Sequence, residues 1–288
     1  MKSAATLKTE VLLYRLAADT ASVFPLGLLQ ATGRVVGAAY FLLFGRRRRI
    51  VLGNLARVFP QWTAWKRFRT GMACGAHFGR IAFDYLKWSR ASEALIRSKV
   101  RLDGLEHVKA ALGRGRGAFI LSAHFGHWEV AALALSLEGF PQAMVHRPLD
   151  NPTLEAALSA RRTRFGNTLV SKHGALKGML KTLRAGGLVD ILIDQKSADE
   201  VSYAVPFLGI PTPTVASLAK LVKATGAAVV PLFARPDGTG YRVELRPPLT
   251  PAEGESEEAF TARCNAELTA AILADPPLWL WFHNRWRI

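Results

Sequence analysis

Residues 117–130 read GAFILSAHFGHWEV. The first five are suited to a buried strand, yet the run ends in two histidines and a glutamate set among Phe125 and Trp128. Ionisable groups beside a core are destabilising unless they are paired or used. Further apolar runs follow the same texture: KVRLDG (99–104), QAMVHRP (142–148), LVDILID (188–194), AAVVPLFARP (227–236) and YRVELRPP (241–248). Residues 130–137, 152–165, 176–185 and 215–224, which lie between them, carry helical spacing. This alternation predicts an α/β fold, a central mostly parallel sheet flanked by helices. Sites in such folds gather at the carboxyl ends of strands, and residues 122–129 lie at one.

Upstream, residues 61–98 are helical in pattern, with Phe68, Met72, Phe78, Ile81, Phe83, Tyr85 and Leu86 among the apolar positions. The N-terminal 50 residues are strongly apolar but broken by Arg15, Asp19 and Arg34. The charge-free pieces 20–33 and 35–45 are each shorter than the roughly 20 residues of a clean span, and no signal-peptide pattern is present. An interfacial helix or helical hairpin fits better, with GRRRR (45–49) as a basic foot; the alternative is an ordinary core helix pair. The expected division is therefore a membrane-associating segment, 1–50, and a single domain, 51–288. The chain carries 38 Lys and Arg against 22 Asp and Glu, a formal charge of +16, so its partners are anionic. Cys74 and Cys264 stand far apart, which supports neither a disulfide framework nor a cysteine zinc site.

His124 and Glu129 are spaced H-x-x-x-x-E. On a continuous helix they would lie about 140° apart, so they meet only if the chain bends, and Gly126 supplies a point for the bend. Glu129 would then hold one imidazole nitrogen and leave the other facing a cleft, the arrangement of a general base. The alternative is that His124 caps the helix and Glu129 pairs with a nearby arginine. His124, His127 and Glu129 match neither helical zinc pattern, so no metal and no cofactor is expected, and G-x-S-x-G and phosphate-loop motifs are absent. The next strand ends bring HRPLDNP (146–152) and DILIDQK (190–196). Arg147 in its rigid turn is a candidate for binding a phosphate or an oxyanion, or else a surface partner of Asp150. Asp194 and Gln195 are candidates for positioning that arginine or the acceptor.

NLARVFP (54–60), SAHFGHWE (122–129), HRPLDNP (146–152), DQ (194–195), VPFLG (205–209) and WLWFHNRW (279–286) occur in this order. Together they resemble the bacterial lipid A biosynthesis acyltransferases, the late lauroyl/myristoyl group within the wider glycerolipid acyltransferases. The resemblance implies His124 as base, Glu129 as its acidic support and Arg147 as the active-site arginine. Two departures stand out: many relatives have Asn at the position of His127, and the usual H-R-R of the C-terminal box is His283-Asn284-Arg285 here.

The reaction implied is direct acyl transfer from a thioester of acyl carrier protein or coenzyme A to a hydroxyl of an anionic glycolipid, a lipid A precursor, with a lysophospholipid or an inositol mannoside as the alternative acceptor. The implied location is the cytoplasmic face of the bacterial inner membrane. Arg161, Arg162 and Arg164 lie on one helical pattern and are candidates for meeting the anionic partners, with Arg164 chosen for substrate contact. Phe125, Trp128, Val130, Phe207 and Leu208 are candidates for an acyl trench, and Trp279, Trp281, Phe282 and Trp286 for a membrane edge or a docked core segment. A basic nucleic-acid-binding protein is the rival class, but no helix-turn-helix, zinc finger or RNP pattern appears, and specific nucleic-acid binding is not expected.

Overall fold

The computed structural model describes residues 4–88, 90–171, 174–196 and 201–286. Five helices precede the first strand: α1 (Ala4–Val23), α2 (Leu26–Leu43), α3 (Gly45–Val58), α4 (Ala64–Trp88) and α5 (Glu93–Lys99). Strand β1 (Val100–Asp103) and helix α6 (Leu105–Leu112) lead into an alternating stretch. It consists of β2 (Ala118–Ser122), α7 (Trp128–Leu137), β3 (Gln142–His146), α8 (Pro152–Arg162), β4 (Thr168–Ser171), α9 (Ala175–Arg184) and β5 (Leu188–Leu192). A ribbon of β6 (Ser202–Phe207) and β7 (Ile210–Val215) follows. Helix α10 (Ser217–Thr225), strands β8 (Ala228–Asp237) and β9 (Gly240–Leu245) and helix α11 (Glu257–Ala274) complete the order.

Seven strands form one sheet in the order β1-β9-β8-β2-β5-β3-β4, with β6 and β7 apart. Within that sheet β8 and β9 pair antiparallel and the other neighbours run parallel. The exception has a simple cause, since the β8–β9 link is too short for the crossover that parallel pairing needs. The expected α/β architecture is the observed one.

Strand β2 is buried at every position because both faces of the sheet are covered. Phe119, Leu121, Val189 and Ile191 face one core, and Ala118, Ile120, Leu188 and Val130 the other. The sequence signals missed β4, α6, α11 and the β6–β7 ribbon. Pro206, Pro211 and Pro213 disguise the ribbon, because proline reads as loop and survives only where no ladder donor is needed. Helix α11 did announce itself: the Ser256 side chain accepts from the Ala259 N–H as an N-cap.

The boundary expected at residue 50 falls inside α3, whose Val51 and Leu55 pack with Phe41 of α2 in the main core. Helix α2 lies so close on α4 that a Cβ at Gly37 would stand 2.0 Å from the Gly75 carbonyl oxygen. Two turns away, Gln30 Nε2 donates to Asp84 Oδ2 at 3.1 Å and to the Thr239 carbonyl at 2.9 Å. At the other end of the chain Trp279 and Trp281 are fully buried, so they are core rather than membrane edge. Asn54 of α3 holds that segment by donating to the carbonyls of Trp281 and His283 at 2.9 and 2.8 Å.

Candidate active site

Strands β2 and β5 are parallel neighbours with Ser122 opposite Leu192. Two residues past those partners stand His124 and Asp194, so sheet register alone brings them face to face. The His124 ring puts Nδ1 3.0 Å from Asp194 Oδ1, and the His124 backbone N–H donates to Oδ2 at 3.0 Å. Trp279 Nε1–H donates to the same Oδ2 at 2.8 Å. Burial acts to raise the pKa of Asp194, but the His124 charge and the hydrogen bonds from His124 and Trp279 hold it below the usual carboxylate value. A carboxylate accepting from Nδ1–H fixes the tautomer and leaves Nε2 as the basic nitrogen of a ring that is 25% exposed.

The turn that carries His124 depends on Gly126. Its φ is +58°, and a Cβ there would lie 1.5 Å from the Ala234 carbonyl oxygen. Its N–H donates to the Leu278 carbonyl at 2.9 Å, and the next N–H, of His127, donates to the Ala234 carbonyl at 3.3 Å. His127 then caps α7, its side chain accepting from the Val130 N–H.

Glu129 does not reach the imidazole. It starts α7 and turns toward the end of α8, where Arg162 Nε–H is shared between its two oxygens at 3.1 and 3.0 Å and Arg162 Nη2 closes on Oε1. Asp194 takes the place expected for Glu129, because the neighbouring strand end is nearer than a residue one helical turn on. Burial would lower the Arg162 pKa, but the hydrogen bonds and charge of Glu129 hold it above the usual value. Arg147 stands at the open rim of the cleft, its side chain 72% exposed and 4.0 Å from Asp150, the surface pair that the sequence also allowed. Arg164 donates to the Ala91 carbonyl at 2.8 Å and lies over Phe165, outside the cleft lining. Phe125, Val130, Phe207 and Leu208 are core residues and not a trench.

A cleft of about 940 Å³ opens in front of His124. Trp128 lines it, its ring edge-on to the imidazole with centroids 5.0 Å apart, and Gln195 lines it beside Asp194. Met144, Leu176, Met179, Ile191, Val201 and Val215 supply an apolar wall. Arg147, Arg162, Lys196 and Lys220 supply the cations. Behind the cleft the Lys196 N–H donates to His283 Nε2 at 3.2 Å, so the C-terminal box braces the loop that carries Asp194. Asp190 also lines the cleft, 4% exposed and with Oδ1 unpartnered among the described residues. Burial, with Glu129 nearby, pushes its pKa up to about 7, against the opposing pull of Arg162 and His124.

The arrangement can therefore take a proton at His124 Nε2, hold an extended apolar group along one wall and meet negative charge at the rim. Asp194 was not assigned its place as the imidazole partner from sequence, whereas Arg162 was one of three basic candidates and its pairing with Glu129 is the alternative that the sequence allowed for that acid. An acid standing as far past one strand end as a histidine stands past its parallel neighbour is the signal that would have found the first.

The family profile described as bacterial lipid A biosynthesis acyltransferase matches residues 6–288. A lipid A biosynthesis lauroyltransferase of Escherichia coli K12 is 25% identical over 269 residues, covering 91% of this chain and 86% of that protein. A lipid A biosynthesis acyltransferase of Haemophilus influenzae is 25% identical over 230 residues, covering 79% of this chain and 72% of its own. A phosphatidylinositol mannoside acyltransferase of Mycolicibacterium smegmatis is also 25% identical, over 240 residues, with 81% and 77% covered. Among solved structures, the 1-acyl-sn-glycerophosphate acyltransferase of Thermotoga maritima shows a loose likeness, with a TM-score of 0.43 and 15% identity over 88% of this chain and 98% of that one. With the profile matched across nearly its whole length, the chain belongs to the bacterial lipid A biosynthesis acyltransferase family.

Proposed function

We propose that the protein moves a fatty acyl chain from a thioester to a hydroxyl of a phosphorylated glycolipid, a lipid A precursor. The observation that carries this reading is the His124–Asp194 contact at the mouth of a cleft with an apolar wall and a basic rim. His124 Nε2 accepts the hydroxyl proton, the alkoxide oxygen attacks the thioester carbonyl, and the thiolate leaves with the proton that the imidazolium returns. Asp194 keeps the tautomer and stabilises the imidazolium. Glu129 and Arg162 brace α7 against α8 and keep one guanidinium at the cleft. The donor is acyl carrier protein or coenzyme A; the first is favoured by the +16 charge of the chain.

Membrane attachment at the cytoplasmic face of the inner membrane belongs to the same reading. Helix α2 has the length and apolar composition to cross a bilayer. One face of it, however, is committed to α4 through Gln30, Gly33 and Gly37, while Leu28, Val35, Val36 and Leu43 on it are exposed. Exposed Leu12, Leu13 and Leu16 of α1 and the arginines of α3 extend this surface. A helix held along one side in this way lies in the interface, apolar face down and basic residues at the headgroups.

The test is acyl transfer by purified protein in mixed micelles, with both thioester donors offered against a lipid A precursor, a lysophospholipid and a phosphatidylinositol mannoside. Transfer to the lipid A precursor that disappears in folded His124→Ala supports the reading. Preference for either other lipid replaces the acceptor, and undiminished transfer by His124→Ala removes the base.

A further inference from the structure

Two helices leave the mouth of the cleft side by side. Helix α9 places Ala175 and Leu176 of its first turn in the cleft lining, and α10 places Ser217 there. Each then runs back to the amino end of the strand that follows it, β5 or β8. The two pack against each other and turn their apolar residues inward: Met179 and Leu183 of α9 and Leu218, Leu221 and Val222 of α10 belong to the core. What they show to solvent is charge of one sign. Lys177, Lys181 and Arg184 are exposed at i, i+4 and i+7, which is one face of α9, and Lys220 and Lys223 are exposed on α10.

The acids that would neutralise such a face are missing from this part of the chain. Neither helix contains Asp or Glu. Residues 156–189 hold none, and neither do residues 201–236. Between those stretches Asp190 and Asp194 are buried, and Asp199 and Glu200 lie outside the described residues. Glu257 of α11 reaches Lys223 at 3.6 Å, while Lys177, Lys181, Arg184 and Lys220 have no ion pair among the described residues. Like charges one turn apart on a helix repel, so the row on α9 does not serve the fold. Its position and length select a partner. The row starts at the cleft, so it suits something that is also addressed to the cleft. It then runs on to Arg184, eight residues or about 12 Å from Leu176, farther than a small phosphorylated donor seated at the mouth would follow. A bilayer fits poorly, because a helix lying in an interface puts its apolar side chains down, and α9 and α10 have theirs in the core. An acidic helix with carboxylates at the same three- and four-residue spacing matches the row charge for charge. Leu176 and Val201, 53% and 66% exposed in the cleft lining, add an apolar contact where the row begins.

We propose that the exposed faces of α9 and α10 form a docking surface for an acidic helical protein that carries the acyl thioester on a flexible arm. The protein stays on the row of cations, and the arm enters the cleft between Leu176 and Lys220, both of which line it. The surface deepens the acyl-transfer reading and rests on it for what the arm delivers; the charge pattern itself does not.

The test uses the full chain in detergent micelles at low ionic strength and reads binding of holo-acyl carrier protein by fluorescence anisotropy. Wild type is compared with Lys177→Glu/Lys181→Glu and with Lys99→Glu/Lys109→Glu, which makes the same change in net charge at exposed positions of α5 and α6. The α9 variant is expected to weaken carrier binding about tenfold or more and the control by no more than about threefold. In transfer assays the KM for lauroyl-acyl carrier protein should rise by the same factor with kcat kept, and by several-fold less for lauroyl-coenzyme A. Equal carrier affinities in the two variants overturn the proposal. So does an α9 variant that keeps the carrier but no longer sediments with phosphatidylglycerol–phosphatidylethanolamine vesicles, which would assign the row to lipid. Because binding is read without turnover, the surface and the reaction fail separately. Carrier held through α9 by a protein that transfers nothing keeps the surface and removes the acyl-transfer reading, and carrier-dependent transfer that is equal in both variants does the reverse. Wild-type near-UV circular dichroism of each variant shows that it is folded, and Lys177→Gln/Lys181→Gln repeats the comparison with charge removed rather than reversed.

Discussion

Two acid–base pairs hang from one turn, and they differ in the one respect that matters for moving a proton. His124 meets Asp194 through a single ring nitrogen, and the other nitrogen of the partly exposed ring has no hydrogen-bond partner among the described residues. Glu129 meets Arg162 through both oxygens and two guanidinium nitrogens, so the hydrogen-bonding faces of the two groups are turned on each other. The first pair is electrostatically open and the second is closed. On the proposed reading, similar residue types a few positions apart serve as reaction machinery in one case and as a clamp in the other, and strand register decides which is which.

Breaking the open pair should have the largest effect. In Asp194→Asn the carboxamide can donate to Nδ1, which moves the ring proton to Nε2 and blocks the base. The expected fall in kcat is about 10³–10⁴-fold with KM changed little, as for other base-orienting carboxylates. Steady-state transfer by protein of wild-type near-UV circular dichroism checks it. A variant retaining more than a tenth of the rate would make Asp194 a structural residue and remove the orienting role from it.

Breaking the closed pair should show in stability before rate. Arg162→Met strands a buried Glu129 carboxylate, at a loss of about 3–5 kcal/mol. Adding Glu129→Gln should recover much of it, because the double variant no longer buries an unpaired charge. Denaturant unfolding of the single and double variants measures the coupling. Additive losses would mean that the contact is incidental.

The comparison also shows what the sequence could carry. The strand–helix alternation, the site at the end of β2 and the histidine itself were legible because each is written in contiguous residues. Asp194 was visible as a strand-end acid but not as the partner of His124, since their meeting depends on β2 and β5 being neighbours although β3 and β4 lie between them in the chain. Arg147 stood in a more suggestive motif than Arg162, yet it stays solvated at the cleft rim while Arg162 at the end of α8 turns inward onto Glu129. The tryptophans of the C-terminal box fitted a membrane edge or a core equally well. Tertiary contacts decide for the core: the Phe125–Trp279 bridge, the Trp279 donation to Asp194 and the full burial of Trp279 and Trp281.

Asp190 sharpens the contrast, because it is a third acid beside both pairs and has neither kind of partner among the described residues. Its pKa is raised from 3.8 to about 7 in the folded protein, so folding takes up a proton between those values. The stability this contributes is complete below about pH 4 and is lost as the pH rises through 7. Asp190→Asn should flatten that decline, the difference from wild type growing by about 2–4 kcal/mol between pH 4 and pH 8. Unfolding curves across that range read it directly. Parallel curves for the two proteins would mean that Asp190 is ionised throughout.

Arg147 is the smallest effect and the cleanest discriminator between the residue that the motif favours and the one that the fold places. Its guanidinium is solvated and loosely paired with an equally exposed Asp150, so removing it breaks nothing the fold depends on. What it contributes at the rim is long-range attraction for a negatively charged donor or acceptor, a term that salt screens over about 10 Å at 0.1 M. Arg147→Ala should therefore raise KM by no more than a few-fold, leave kcat unchanged, and lose even that difference at high ionic strength. A rate assay at two salt concentrations suffices. A fall in kcat of a hundredfold that salt does not touch would mean that the β3–α8 turn swings inward when substrate is bound, and that Arg147 joins His124 in the reaction while Arg162 only clamps.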